Sequence, residues 1–348
     1  MKYLEVISRM HLNTFYRKRK GEIKIGDLCT TLEGTNWKKE IKANNSKFVL
    51  VGLPEDIGIR ANYGRPGANS AWIPALNNIL NMQSNSFLTG NELLILGAVN
   101  FNDLNEKAAL INQKSDKDIN LLRKLVEEID KRVSEVISEI VKSGKVPIII
   151  GGGHNNAYPN IVGTAKCFKN KVINVINCDA HSDFRALEGR HSGNGFSYAF
   201  EHGYLKKYAV VGLHENYNSK SVLDRLQKID NVHYSTFEQI FIREEITFKE
   251  AVMEAIHFVK EDFCGVEMDM DTVQNIPSSA KTSSGISANM ARQYAYWCGC
   301  NLNALYFHIA EAAPVLSHIK ADNKTGKLIA YLVSDFIKGK NRRVCQFD

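Results

Sequence analysis

The sequence predicts an α/β fold with a mostly parallel sheet and helices on both faces. Three observations lead there: short β-branched runs alternate with helical patterns along most of the chain, the runs are apolar throughout, and polar clusters follow directly after three of them. Continuous apolar runs suit strands buried on both faces, and strand–helix alternation suits parallel pairing through crossover helices. Taken in order, Phe48–Val51, Leu93–Leu96, Val146–Ile150, Val172–Ile176, Ala209–Val211, Phe263–Val266 and Leu305–Ile309 read as strands. Between the second and third lies the clearest helix. Its apolar residues Ile119, Leu122, Val126, Ile129, Val133, Val136 and Ile140 step by three and four, with Ser115 and Asp118 as a start signal and Gly144 as a stop.

A chain of 348 residues, with 44% hydrophobic and 24% charged residues, has an ordinary globular composition and enough length for a substantial core. One domain over 46–348 is expected, with 1–45 as an extension packed on it or placed at an oligomer contact. The formal charge of +6 is modest. Its basic clusters, Arg17–Lys20 and Lys340, Arg342 and Arg343, fall in no nucleic-acid motif and read as solvated surface. Seven cysteines (Cys29, Cys167, Cys178, Cys264, Cys298, Cys300, Cys345) are scattered and form no C-x-x-C pair, which points to thiols in a cytoplasm-like compartment. No apolar run reaches the length of a membrane span, so neither membrane nor nucleic acid is an expected partner.

The chemistry gathers after the strands. Asp179-Ala180-His181-Ser182-Asp183 sets two carboxylates and an imidazole on alternating positions, which in an extended segment project to one side. Unpaired, two such anions would repel, whereas a divalent cation makes the arrangement favourable. Cys178 beside them points to the other face and reads as a small core residue. Gly151-Gly152-Gly153-His154 follows another strand and Asp269-Met270-Asp271 a third, so three strand ends offer ligands to one edge, where α/β sheets collect their ligands. No Lys-Ser or Lys-Thr follows the glycines, against a phosphate-binding loop. His154, Asp179, His181, Asp183, Asp269 and Asp271 form a hard donor set without thiolate, suited to manganese, and four carboxylates call for two ions.

In the order G-G-x-H, D-A-H-x-D, D-x-D, the chain resembles the ureohydrolase family of arginase, agmatinase and formimidoylglutamase. The resemblance runs from about Gly52 to Pro314, through Gly52–Asp56, Asn62–Ala68 and the E-x-x-P segment Glu311–Pro314. It implies a three-layer α/β/α sandwich around a parallel sheet, a homo-oligomer, and two Mn²⁺ ions. One ion would be held by His154, Asp179, Asp183 and Asp269, the other by Asp179, His181, Asp269 and Asp271. A hydroxide between the metals would attack an amidine carbon, and Asp183 would carry its proton to the departing nitrogen.

Within that resemblance, Glu311 matches the glutamate that pairs with a cationic amidine or guanidine. Arg185 continues the D-x-R pattern of formimidoylglutamases and offers a bidentate donor to a substrate carboxylate. Gly153, Phe196 and Gly285-Ile286-Ser287 point the same way, while Ser192-Gly193-Asn194 is arginase-like. Ser192 and Asn194 are further substrate-binding candidates, His191 a catalytic proton shuttle, and Arg190, His191 and Arg65 candidates for a second anion. The expected activity is hydrolysis of N-formimidoyl-L-glutamate to L-glutamate and formamide. An arginase-type guanidino-acid hydrolase is the alternative; a deacetylase on a related fold, or a metal-stabilised binding protein without turnover, makes less use of six intact ligands.

Overall fold

The computed structural model describes residues 3–34, 36–317 and 323–344 of the chain. Cys345 and the side chain of Arg343 fall outside that description.

Every strand read from the sequence is present, Val146–Ile150 with the same ends and the others with shifted ends. The strands are β1 (Leu4–Val6), β2 (Phe48–Gly52), β3 (Leu93–Val99), β4 (Val146–Ile150), β5 (Ile173–Cys178), β6 (Leu205–Leu213), β7 (Val232–Thr236), β8 (Cys264–Asp269) and β9 (Ala304–Ala310). They form one sheet in the order β1-β3-β2-β4-β9-β8-β5-β6-β7. All neighbours pair in parallel except β1, which runs antiparallel along β3, so the sheet is mixed at one edge. That edge strand belongs to the first forty-odd residues, which also place Leu4, Trp37 and Ile41 in the core.

Side chains alternate along each strand and so build two cores. Phe48, Leu50, Ile148, Ile150 and Ile176 face a layer made by the helices Trp72–Asn81, Phe248–Val259, Ala288–Asn301 and Lys324–Val344. Val49, Val51, Ile149 and Val175 face the helices Asp116–Lys142, Ala157–Ala165 and Gly195–Glu201. The result is the expected three-layer α/β/α sandwich. Cys178 lies in the first of these cores, fully buried, on the side its strand position assigns it. The long helix starts where the sequence placed its cap: Ser115 Oγ accepts from the Asp118 N–H at 3.2 Å, satisfying one of the free N–H groups of the first turn.

The strand order has a direct functional consequence. β4, β9, β8 and β5 are consecutive neighbours in the middle of the sheet, so their carboxyl ends deliver His154, Glu311, Asp269 and Asp179 side by side. No helix among the described residues is long and apolar enough to cross a membrane.

Candidate metal centre

Asp179 and Asp269 occupy equivalent places at the ends of adjacent strands, and their backbones solve the chain reversal identically. In each, Oδ1 accepts from the N–H two residues on: His181 at 2.7 Å for Asp179, and Asp271 at 2.7 Å for Asp269. These Asx turns fix both carboxylates by backbone hydrogen bonds and leave their Oδ2 atoms aimed at one histidine. His154 Nδ1 lies 3.2 Å from Asp179 Oδ2, 3.0 Å from Asp269 Oδ2 and 3.0 Å from Asp183 Oδ2. His154, Asp179, Asp183 and Asp269 each offer a ligand atom within 4.8 Å of all the others.

His181 and Asp271 stand beside this cluster. His181 Nδ1 is 3.6 Å from Asp179 Oδ1, and its ring stacks on Tyr217 with centroids 5.5 Å apart. Asp271 Oδ1 is buried with no hydrogen-bond partner, a costly state for a carboxylate oxygen that a cation would relieve.

The electrostatics are those of an anionic site that calls for positive charge. Burial, then the charges of Asp179 and Asp271, push the Asp269 carboxyl far above the usual carboxylate range. Burial and the Asp271 and Asp269 charges do the same to Glu311, and Asp183 is raised by burial and by Asp179. Burial opposes charge on the imidazole of His181, but Asp179 outweighs it and holds the group at about 10. Buried acids that resist ionisation together, bordered by imidazoles and an orphaned carboxylate oxygen, fit divalent cations.

Two acids here adopt left-handed backbone conformations, Asp183 with φ 45° and Glu311 with φ 64°, which cost on the order of 1–3 kcal/mol each. The surroundings enforce them. The Glu311 N–H donates to Gly152 O at 3.0 Å, and Glu311 Oε1 accepts from the His154 N–H at 2.8 Å, tying the end of β9 to the glycine loop after β4. The loop is secured from below by Glu55, fully buried, which accepts from Ile57 N–H, Gly153 N–H and the side-chain amides of Asn155 and Asn156. Gly153 is a position where a larger residue cannot enter unaided, since a Cβ there would stand 2.5 Å from Asn155 Oδ1. Glu55 entered the sequence reading only within the Gly52–Asp56 segment of the family resemblance, with no role assigned to it.

A cavity of about 760 Å³ opens onto the cluster. His181, Asp183, Asp269, Asp271 and Glu311 line it together with Arg185, Ser192 and Arg65. Arg185 is half-exposed and donates to Asn62 Oδ1 and Glu188 Oε1, both at 3.0 Å. Arg65 donates to Ser279 O, and Ser192 Oγ accepts from Asn62 at 3.3 Å.

Three expected site residues do not reach the cavity. His191 is fully buried, with Nδ1 accepting from Gly193 N–H and Nε2 against Glu188 Oε1, both at 3.1 Å, so its ring braces a loop and lies outside the cavity lining. Asn194 spends its amide inside the same loop, accepting from Arg190 and His191 N–H and donating to Gly189 O. Arg190 is sealed between Tyr158 and Tyr198 and pairs with Asp130, so of the arginines named for a second anion only Arg65 lines the cavity. Phe196, where arginases carry a histidine, packs edge-on against the His154 ring at 5.2 Å.

The sequence profile described as the Arginase family matches residues 46–338. The chain belongs to the arginase family. Its sequence is 25% identical over 296 residues to a formimidoylglutamase of Streptococcus pyogenes serotype M12, covering 82% of each chain. The arginase-family fold described above is shared with formimidoylglutamase from Bacillus subtilis (TM-score 0.72, 19% identity, 93% of this chain and 94% of that one). It is shared also with Trypanosoma cruzi formiminoglutamase solved with Mn²⁺ (TM-score 0.70, 19% identity, 92% and 99%). Proclavaminate amidino hydrolase from Streptomyces clavuligerus has the same fold at TM-score 0.66 and 15% identity, over 86% and 93% of the two chains.

Proposed function

We propose that this arginase-family chain hydrolyses the C–N bond of N-formimidoyl-L-glutamate, yielding L-glutamate and formamide. The observation that carries the reading is the polarity of the cavity, which runs from a buried acid, Glu311 at 4% exposure, to a half-exposed base, Arg185. A substrate with a cationic amidine at one end and carboxylates at the other matches that gradient; agmatine, with an amine at its far end, does not. The formimidoylglutamase relatives support the same choice.

In this reading His154, Asp179, Asp183 and Asp269 hold one divalent ion, and Asp179, His181, Asp269 and Asp271 hold a second. Manganese is the ion proposed, on the hard donor set and on the Mn²⁺ of the Trypanosoma cruzi relative. Such ions lower the pKa of water and so supply hydroxide near neutral pH. Glu311 pairs with the amidinium and turns its carbon toward the ligand cluster. Arg185 and Arg65 receive the carboxylates, which requires Arg185 to exchange Glu188 for substrate. Asp183, between the cluster and the cavity, takes up the proton and returns it to the leaving nitrogen. The six described cysteines are all unpaired, in keeping with a reducing compartment such as the cytoplasm.

The test is product identity. Protein loaded with Mn²⁺ is incubated with formimidoylglutamate, arginine, agmatine and simple guanidines while formamide, urea and ammonia are followed. Formamide from formimidoylglutamate alone is expected; rapid urea release from arginine with no product from formimidoylglutamate would overturn the assignment.

A further inference from the structure

Behind the ligand cluster lies a buried polar group with no part in the chemistry above. Glu267, His308 and Tyr306 are all fully buried in the middle of the sheet. Glu267 and His308 are register partners on β8 and β9, and Glu267 projects to the same face of β8 as Asp269, two residues on. The Tyr306 O–H donates to Glu267 Oε1 at 2.8 Å. His308 bridges Glu267 Oε2, 2.6 Å from its Nδ1, and Gly151 O, 3.1 Å from its Nε2. The Tyr306 ring reaches its position only because residue 265 is glycine; a Cβ there would stand 2.3 Å from the ring.

A carboxylate in a sheet core carries a heavy desolvation cost, and apolar residues of similar size would serve packing better. The remaining neighbour of Glu267 explains its presence. His154 Nε2 is buried, has no hydrogen-bond partner, and lies 3.5 Å from Glu267 Oε2. The opposite ring nitrogen, Nδ1, is the one facing Asp179, Asp183 and Asp269. A histidine that ligates through Nδ1 must carry its proton on Nε2, and that proton points at Glu267. His154, Glu267 and His308 do not read as a second ion site, since both ring nitrogens of His308 are already engaged, Nδ1 by Glu267 and Nε2 by the Gly151 carbonyl.

We infer that Glu267, braced by His308 and Tyr306, is the positioning residue of the metal centre: it accepts the Nε2 proton of His154 and so fixes the tautomer and ring orientation that present Nδ1 as a ligand. The inference rests on the metal reading of the cluster. His308 adds a second restraint, because its other contact is the carbonyl of Gly151, where the loop that delivers His154 begins. Carboxylates placed this way behind a ligating histidine raise its basicity, and their loss weakens metal binding by about 10–100-fold.

Two readouts test this. Mn²⁺ affinity is measured by chelator competition on the parent, Glu267→Gln and Tyr306→Phe, with circular dichroism and melting to verify the fold. Imidazole N–H resonances are recorded on the Zn²⁺-loaded proteins. Expected are a downfield, exchange-protected His154 Nε2–H in the parent, its loss in Glu267→Gln with roughly 10–100-fold weaker Mn²⁺ binding, and a smaller weakening in Tyr306→Phe. A folded Glu267→Gln protein with affinity within about twofold of the parent and the same N–H resonance overturns the inference. If Glu267→Gln does not fold, Tyr306→Phe decides on the same two criteria. A parent that takes up neither metal would instead sink the metal reading itself.

Discussion

His191 shows how a residue attractive in sequence is redirected by its surroundings. An imidazole near D-x-H-x-D reads as a proton shuttle, yet burial, reinforced by the Arg185 and Arg123 guanidiniums, pushes its pKa down to about 3. The same imidazole in the unfolded chain titrates near ~6.5. Between those values the unfolded state binds the proton and the folded state does not, so stability falls as pH drops from about 6.5 toward 3. A His191→Gln protein is therefore expected to lose stability less steeply than the parent across that window in urea-denaturation series at successive pH values; superimposable slopes would refute the assignment. By contrast, Asp179, His181, Asp183, Asp269 and Asp271 were legible as compact D-x-H-x-D and D-x-D patterns after apolar strands, although Asx turns at Asp179 and Asp269 and the left-handed backbone of Asp183, not extended alternation, bring them together. The burial of His191, Asn194 and Arg190 in one network depends instead on partners such as Asp130, sixty residues away.

Arg190 and Asp130 also carry the argument to the level of elements. Asp130 sits on the inner face of the helix Asp116–Lys142, and its pairing with Arg190 at 2.9 Å pins the loop that presents Arg185 and Ser192 to the cavity. Burial drives the Asp130 carboxyl up to about 6 even beside that guanidinium, so the pair adds little net stability while intact. Removing one partner is another matter, because Arg190 would stay buried and uncompensated. Asp130→Ala is expected to cost roughly 3–5 kcal/mol in denaturant unfolding and to raise KM more than it lowers kcat; a loss under about 1 kcal/mol with unchanged KM would show that the loop is held otherwise. Legibility differs among elements for similar reasons. The interior strands announce themselves as apolar runs, while β1 has three residues and β7 reads Val-His-Tyr-Ser-Thr with mostly half-buried side chains, so the edges carry too little apolar signal. His308 was visible as a histidine inside the apolar run Leu305–Ile309, and Glu267 as an acid ahead of D-x-D, but only strand pairing shows that they meet.

At the scale of the whole molecule, the acidic cluster, on the proposed metal reading, couples stability to metal. Buried carboxylates that repel one another disfavour the folded state, and any ion bound only by the folded state stabilises it by RT ln(1 + [L]/Kd), about 4 kcal/mol at a thousandfold excess over Kd. Chelation is thus expected to lower the melting temperature by several degrees, and added Mn²⁺ to restore it; a melting curve indifferent to both would separate the cluster from folding. The sheet order bears on when that coupling can begin. Among the described residues β8 and β9 are the last strands, yet they occupy the centre of the sheet, between β4 and β5. A growing chain that has made β4 and β5 holds His154 after one strand and Asp179, His181 and Asp183 after the other, and still lacks Asp269 and Asp271. The two central places are filled only by β8, which ends at Asp269, and by β9, which ends at Ala310. In the proposed reading, metal loading is therefore a late event in the life of each molecule, set by the emergence of β8 and β9 from the ribosome rather than by the first appearance of its ligands.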